Sequence, residues 1–293
     1  MDYYAITAGA VDYIERNLAE KITLDDVAAH VHVSLPHLYR IFPALAGCTI
    51  GQYIRRRRLS EAAARLREGA HMLDVALDYR FDSQEGFIRA FRAMFALTPG
   101  EYRRSSAALP LYHRLKLAKP CEGGLAMQPR IIRKQFNLIG LECEIDLEAD
   151  FSRVLDALTQ ALLRRVEEIP SPALPPHIVN MWYPKFEGSE ELTEPATVFF
   201  TGVEVEPGAP LRAGFIGKRL PESLYAMFTE EQRGTIGGPE GYAYKTWLPT
   251  SGYLLNEQIP GDLEEYPDLT HIGYADTCRI YIPICADGVT GKK

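Results

Sequence analysis

"SQEGFIRAFRAMF", Ser83–Phe95, is the stretch on which the reading of this chain turns. Phe87, Ala90, Phe91 and Met94 fall at i, i+3, i+4 and i+7, with Glu85, Arg89 and Arg92 on the other side, so it predicts an amphipathic helix. It has a twin 49 residues upstream. In "SLPHLYRIFPALA", Ser34–Ala46, Ser34 aligns with Ser83, Leu38 with Phe87, Arg40 with Arg89 and Phe42 with Phe91. The register continues afterwards, "TIGQYIR" (Thr49–Arg55) falling on "TPGEYRR" (Thr98–Arg104). Before the serines the offset is 48, placing Val27-Ala28 on Val75-Ala76. The repeating unit is a short helix, a turn and a second helix.

Each serine is an N-cap candidate, its hydroxyl accepting from a free backbone N–H of the first turn. Pro36 sits in that first turn, where its missing N–H costs little. Pro43 lies about two turns in, where proline costs ~3 kcal/mol, so the first twin is expected to kink or stop near Phe42. Between the copies, "GQYIRRRRLSEAAARLREG" (Gly51–Gly69) is rich in helix formers and closed by glycine. Such a helix spans roughly 27 Å. It can hold two helix-turn-helix units at the separation of successive major grooves, about 34 Å.

With both copies in view, residues 8 to 106 resemble the DNA-binding domain of AraC/XylS transcription regulators. The resemblance is carried by "ITLDDVAAHVHVSLPHLYRIF" (Ile22–Phe42), "YIRRRRLSEAAARL" (Tyr53–Leu66) and "MLDVALDYRFDSQEGFIRAFRAMFALTPGEYRR" (Met72–Arg104). It implies two recognition helices that read an asymmetric site on double-stranded DNA, and RNA polymerase as a further partner. By position, the base-facing residues fall on Pro36, Tyr39 and Arg40 in the first copy and on Gln84, Glu85 and Arg89 in the second. Arginine suits guanine, glutamine adenine, and glutamate cytosine N4. Phe42 and Phe91 are expected in the core. Where the family usually has glycine in the second turn, this chain has Arg80, so either the backbone differs there or Arg80 touches phosphate. Of Arg55–Arg58, at least one is expected on phosphate.

Composition supports a division of labour. Residues 1–120 hold 17 Lys/Arg and 13 Asp/Glu, whereas the remainder holds 15 and 26, within a total net charge of -7. Five cysteines without a CxxC pair predict neither a disulfide framework nor a zinc site, and His30, His32 and His37 lack the cysteine or carboxylate partners of a metal centre. No cofactor or metal is expected. No apolar run approaches the length of a membrane span, so a cytoplasmic protein with no membrane partner is the expectation.

"ALPLYHRLKLAKPCEGGLAMQP", Ala108–Pro129, reads as linker, which divides the chain into a DNA-binding domain at 1–107, a linker at 108–128 and a second domain at 129–288. In that second domain "PRIIRKQFNLIGLECEIDL" reads as two strands turning near Asn137–Gly140, followed by a helix capped by Asp150 and stopped by Pro170. Strands follow at "HIVNMWY" and "ATVFFTGVEV". A second cycle has strands at "AGFIGKRL" and "SLYAMFT", a helix at about Pro239–Leu248, then "GDLEEY" and "CRIYIPI". The fold class is thus multidomain: an all-α tandem helix-turn-helix domain, then an α+β domain with a duplicated strand-strand-helix-strand-strand plan.

That plan, with "TWLPTSGYLLNE" (Thr246–Glu257), "LEEY" (Leu263–Tyr266) and "RIYIPI" (Arg279–Ile284), resembles the gyrase-inhibitor-like (GyrI-like) effector-binding domain, and the two domains together resemble Rob-type regulators. The resemblance implies a small hydrophobic effector, often a lipophilic cation in the family, held against aromatic residues and an acidic one. Trp182, Tyr183, Phe199, Phe200, Trp247 and Tyr281 are the aromatic candidates and Glu264 the countercharge. Arg279 pairing with Glu264 would instead favour a neutral or anionic ligand. In the last strand, Ile280, Ile282 and Ile284 are expected toward the helix-covered face, with Arg279 and Tyr281 on the other. Two other functions compete. One is a protein-interaction module; the other is a hydrolase using Glu264 with Tyr266 or Tyr281, which lacks an activated nucleophile or metal set. No catalytic residue is assigned.

Overall fold

The computed structural model describes residues 1–117, 128–145, 151–173, 175–185, 196–229, 242–266 and 278–286. They divide into a helical unit, residues 2–117, and a sheet unit, residues 128–286.

The helical unit contains α1 (Tyr3–Arg16), α2 (Leu24–His30), α3 (Leu35–Ala46), α4 (Ile50–Arg67), α5 (Met72–Asp78), α6 (Gln84–Phe95) and α7 (Pro99–Arg104). The cap residues place its helix starts. Ser34 Oγ accepts from His37 N at 3.2 Å and Ser83 Oγ from Gly86 N at 3.0 Å, as the repeat predicts. Thr49 and Thr98 form capping boxes with Gln52 and Glu101, again at equivalent positions.

One expectation fails. α3 runs unbroken through Pro43 to Ala46 and, at 12 residues, equals α6 in length. Proline removes one N–H from the ladder; the remaining bonds, the Ser34 cap and the left-handed Gly47, whose N–H donates to Pro43 O at 2.9 Å, hold the last turn. Leu38, Ile41 and Phe42 are fully buried, so the apolar face also keeps the helix seated.

α4 serves the two repeats differently. Its C-terminal half contributes Leu59, Ala62, Ala63 and Leu66 to an apolar cluster with Val75, Phe87, Phe91 and Tyr102 of the second repeat. Its N-terminal half carries Arg57 and Arg58, both only 7% exposed, toward α1 and the loop after it.

The sheet unit has β1 (Arg130–Ile145), α8 (Phe151–Leu163), β2 (Ile178–Lys185), β3 (Ala196–Glu204), β4 (Ile216–Phe228), β5 (Tyr253–Leu255), β6 (Leu263–Tyr266) and β7 (Arg279–Ala286). A π-helical turn, Ala243–Trp247, runs into a short helix, Leu248–Thr250. All pairings are antiparallel, in the order β4-β1-β3-β2-β6-β7-β5, and β4 also pairs with β7, so six strands form a closed ring.

Each half begins with one long strand, where the sequence predicts two. β1 passes through Asn137–Gly140 because both of its edges are in use there, against Val203 and Gly202 of β3 and Gly217 and Ile216 of β4. Gly140 is a close approach, not a turn: a Cβ there would lie 2.1 Å from Thr201 O. β4 likewise continues across Pro221, with a register shift opposite Lys134 and Phe136 that takes the proline out of the ladder. The predicted cap Asp150 and the start of the predicted helix at Pro239 lie outside the described residues.

Candidate nucleic-acid interface and ligand site

α6 presents its polar side to solvent. Glu85 and Arg89 are exposed and Gln84 is partly so, while Phe87, Phe91 and Phe95 lie in the core. α3 is less open. Pro36 is exposed and Arg40 half-buried, but Tyr39, placed on the base-facing side by resemblance, is 8% exposed and belongs to the core. Tyr39 follows fully buried Leu38 and precedes fully buried Ile41, so the buried side of α3 is wider than that of α6.

The four consecutive arginines of α4, Arg55–Arg58, separate by role. Arg55 is exposed, and Arg56 lies over the Tyr112 ring, 5.5 Å from its centroid. Arg57 bridges Glu15 and Glu61, each at 2.7 Å, and donates to Tyr112 O at 2.7 Å. Burial alone would lower its pKa, but the two carboxylates outweigh that and raise it. Tyr53 Oη donates to the same Glu15 at 2.7 Å; Glu15 is pushed up by burial yet held below its usual range by Arg57 and Tyr53. Arg58 donates to Leu18 O at 2.9 Å and Glu20 O at 2.8 Å, and burial, then the nearby Arg80 charge, push it down to about 10. Arg57 and Arg58 are therefore structural. Arg55 retains the phosphate expectation.

Arg80 adopts φ +63° and its equivalent in the first turn, His32, φ +57°, so both turns use the left-handed conformation without glycine. Its side chain donates to Ala19 O at 2.9 Å and reaches Glu20 at 3.4 Å, tying the second turn to the loop between α1 and α2 that leads into the first repeat.

Residues read as linker also belong to this unit. Tyr112 N donates to Ser60 Oγ at 2.8 Å, Leu115 N to Tyr53 Oη at 3.2 Å, and Arg114 pairs with Asp12. Composition concealed this strap, because the partners of its backbone N–H groups are the buried Ser60 and Tyr53 hydroxyls of α4.

In the sheet unit, alternation along the strands sorts the ligand candidates onto two faces. One face gathers Phe136, Leu138, Met181, Phe200, Tyr225, Leu263 and Tyr281, with Tyr183 packed against them. The other carries Ile139, Ile178, Val203 and Tyr266 against Leu162 of α8. Tyr183, Phe200 and Tyr281 thus meet on the first face. Trp182 and Phe199 share the second, their rings 4.4 Å apart, and Trp247 packs against Phe228 and Tyr253. Ile280 falls with the α8 cluster and Tyr281 with the other, as expected.

Of the two neighbouring glutamates, Glu265 and not Glu264 lies on the aromatic face. Glu264 accepts from Tyr266 Oη at 2.8 Å on the α8 side, whereas Glu265 is 1% exposed on the aromatic face. In "LEEY" one carboxylate must face each way, and the register Leu263↔Tyr281 and Glu265↔Arg279 decides which. Glu265 pairs with Arg279 Nη1 at 2.7 Å and His177 Nδ1 at 2.8 Å, accepts from Tyr281 Oη, and has Lys134 Nζ at 3.8 Å. Burial pushes its pKa up, but the Tyr281 hydrogen bond and the Lys134, Arg279 and His177 charges leave it below the usual carboxylate value. Phe136 and Tyr225, like Glu265, are absent from the sequence-based candidates; Phe136 contacts both Tyr225 and Tyr281 edge-on at 5.4 and 5.3 Å. Its alternation with Lys134 and Leu138 was the available signal.

Two capped helix-turn-helix units on one connecting helix, followed by an antiparallel sheet domain with a buried charge cluster, define a two-domain DNA-binding regulator. Residues 27–105 match the helix-turn-helix domain family and residues 131–284 the integron-associated effector binding protein family. Over 310 residues the chain is 31% identical to the right origin-binding protein of Escherichia coli (strain K12), covering 97% of this chain and 99% of that protein. It is 33% identical over 283 residues to the transcriptional regulator Rob of Salmonella typhimurium, covering 91% of each. The HTH-type transcriptional activator AarP of Providencia stuartii matches at 40% over 109 residues, 37% of this chain and 78% of that protein. The chain belongs to the AraC-type transcription regulators of Rob-like architecture, with a GyrI-like effector-binding domain. No helix among the described residues is long and apolar enough to cross a membrane.

Proposed function

We propose that this regulator reads an asymmetric site on double-stranded DNA with α3 and α6, recruits RNA polymerase, and is modulated by a small hydrophobic ligand on the aromatic face of its sheet unit. The observation that carries the DNA reading is the pair of equally long, equally capped helices on α4, with different outward residues. Unlike residues in the two grooves give an asymmetric site. α6 supplies more of the discrimination: Arg89 matches guanine, Gln84 adenine and Glu85 cytosine, whereas α3 offers Arg40 and the donor-less Pro36. Selection of bound sequences from a random DNA pool tests this. Arg89→Ala is expected to lose preference at one base position, by about 1–3 kcal/mol. Unchanged affinity together with unchanged preference would remove Arg89 from the reading surface.

The ligand reading rests on Tyr183, Phe200 and Tyr281 sharing one face with Phe136, Tyr225 and Glu265. Because Glu265 already has Arg279 and His177 beside it, a ligand need not be cationic to enter. Fluorescence titration of the full chain with a panel of hydrophobic dyes, repeated with Phe200→Ala, tests it. Binding that weakens in the variant is expected. No binding by any member would favour a protein-interaction domain instead.

A further inference from the structure

Lys134 occupies an unusual position on the aromatic face. Its Nζ lies 4.3 Å from the centroid of the Phe136 ring and 5.6 Å from that of Tyr281, 2.8 Å from Glu204 Oε2 and 3.8 Å from Glu265 Oε2. Phe136 and Tyr281 are in turn held edge-on to each other and to Tyr225, with centroids 5.3 to 6.1 Å apart. Two aromatic rings with two carboxylates are the components of a seat for an organic cation, since ring faces and carboxylates both attract positive charge. Here the seat already holds an ammonium from the chain itself. The Lys134 and Glu204 side chains are 26% and 21% exposed and that of Glu265 only 2%, so the seat reaches solvent on the Lys134 side and closes at Glu265. The register shift between Lys134 and Phe136 occurs where β4 crosses Pro221, which places this lysine where the two strands locally lose their regular pairing.

We propose that Lys134 is the resident cation of this seat and sets the charge of the ligand: the native domain takes uncharged hydrophobic molecules and turns away organic cations. The inference rests on the ligand reading above and adds its charge selectivity. A cation entering the seat would have to displace the Lys134 ammonium from Glu204 and from the Phe136 ring, or share them at like-charge repulsion with Lys134 and Arg279. An uncharged ligand meets neither barrier. Removing the ammonium while keeping its stem would leave Glu204 and the Phe136 face for an external cation.

The test uses the full chain and two probes of nearly identical shape, benzyltrimethylammonium and its uncharged isostere neopentylbenzene, with affinities measured by calorimetry. The native protein is expected to bind the uncharged probe at least about tenfold more tightly than the cation, a cation–π contact being of that order. In Lys134→Met the preference is expected to invert, and in Lys134→Arg to remain native. Equal affinities in the native protein, or a preference for the cation, overturn the proposal without need of any variant. An unchanged preference in Lys134→Met and in Lys134→Gln does so as well, even where the dye panel binds, in which case the ligand reading stands without the selectivity. If neither isostere nor any dye binds the native chain or the variants, the ligand reading falls and the selectivity falls with it.

Discussion

The two helix-turn-helix repeats share their cap positions and their apolar packing on α4, but only the first has buried charge beside that packing. The first packs Phe42 of α3 edge-on against Tyr53 of α4 at 6.0 Å, and beside it buried charge joins α4 to α1 and the loop that leads into the repeat, Arg57 to Glu15 and Arg58 to the carbonyls of Leu18 and Glu20. The second is joined to the same helix through Leu59, Ala62, Ala63 and Leu66 against Phe87 and Phe91. Apolar contact thus runs along the whole of α4, and buried charge is added to it at the N-terminal half. Apolar packing tolerates small changes of angle, whereas a buried guanidinium fork needs its acceptors at fixed positions. The segment that leads into the first repeat is therefore held by direction-dependent bonds in addition to apolar packing, and the second repeat chiefly by contact area.

The largest break in that comparison is Arg57→Ala. It leaves Glu15 with a 12% exposed carboxylate and without its bidentate partner, and removes the tie to Tyr112 O. Removing one partner of a buried pair costs about 3–5 kcal/mol. The helical unit should lose that much in chemical denaturation followed by circular dichroism. The same pair makes the helical unit acid-sensitive. Glu15 has its folded pKa below its usual value, so its contribution is complete above the unfolded pKa near ~4.3 and is lost as pH falls through that value and below. Stability measured from pH 6 down to pH 3 should fall, and Glu15→Gln should flatten the curve.

The repeats were legible in the sequence because their signals are local. Ser34, Ser83, Thr49 and Thr98 each act within three residues of their own position, so a 49-residue offset exposes them. The sheet unit was harder because its decisive facts are non-local. Gly140 reads as a turn until Thr201 of β3 is known to press against it, and Glu264 and Glu265 are indistinguishable until β7 fixes which one faces Tyr281. The same holds for Arg55–Arg58, where only the positions of Glu15, Leu18 and Glu20 separate two structural arginines from an exposed one. Pro43 misled for the opposite reason: a local rule was overridden by tertiary burial of Phe42 and Ile41.

Smaller effects sharpen the comparison. α3 ends on Gly47 at φ +72° and α6 on Ala96 at φ +59°, the equivalent position. A Cβ at Gly47 would meet nothing within 4 Å, so Gly47→Ala measures backbone strain alone and should destabilise by about 1 kcal/mol. Ala96→Gly should stabilise by a similar amount, which thermal unfolding of the two single variants will compare. α2 starts with a Thr23–Asp26 capping box, but its counterpart α5 starts at His71 with no side-chain cap. Thr23→Ala is expected to cost about 1 kcal/mol and His71→Thr to recover up to as much, given Asp74 at the box position.

The smallest difference lies in the two turns. His32 and Arg80 both sit in the left-handed region, where glycine relieves about 1 kcal/mol. If backbone strain were the whole account, His32→Gly and Arg80→Gly would stabilise equally. Arg80, however, donates to Ala19 O and approaches Glu20 in the loop that leads into the first repeat, bonds that glycine removes. Those exposed contacts contribute roughly 0.5–1 kcal/mol. Arg80→Gly should therefore be near neutral while His32→Gly stabilises. A gain for Arg80→Gly as large as that for His32→Gly would mean that the two repeats are linked through α4 alone.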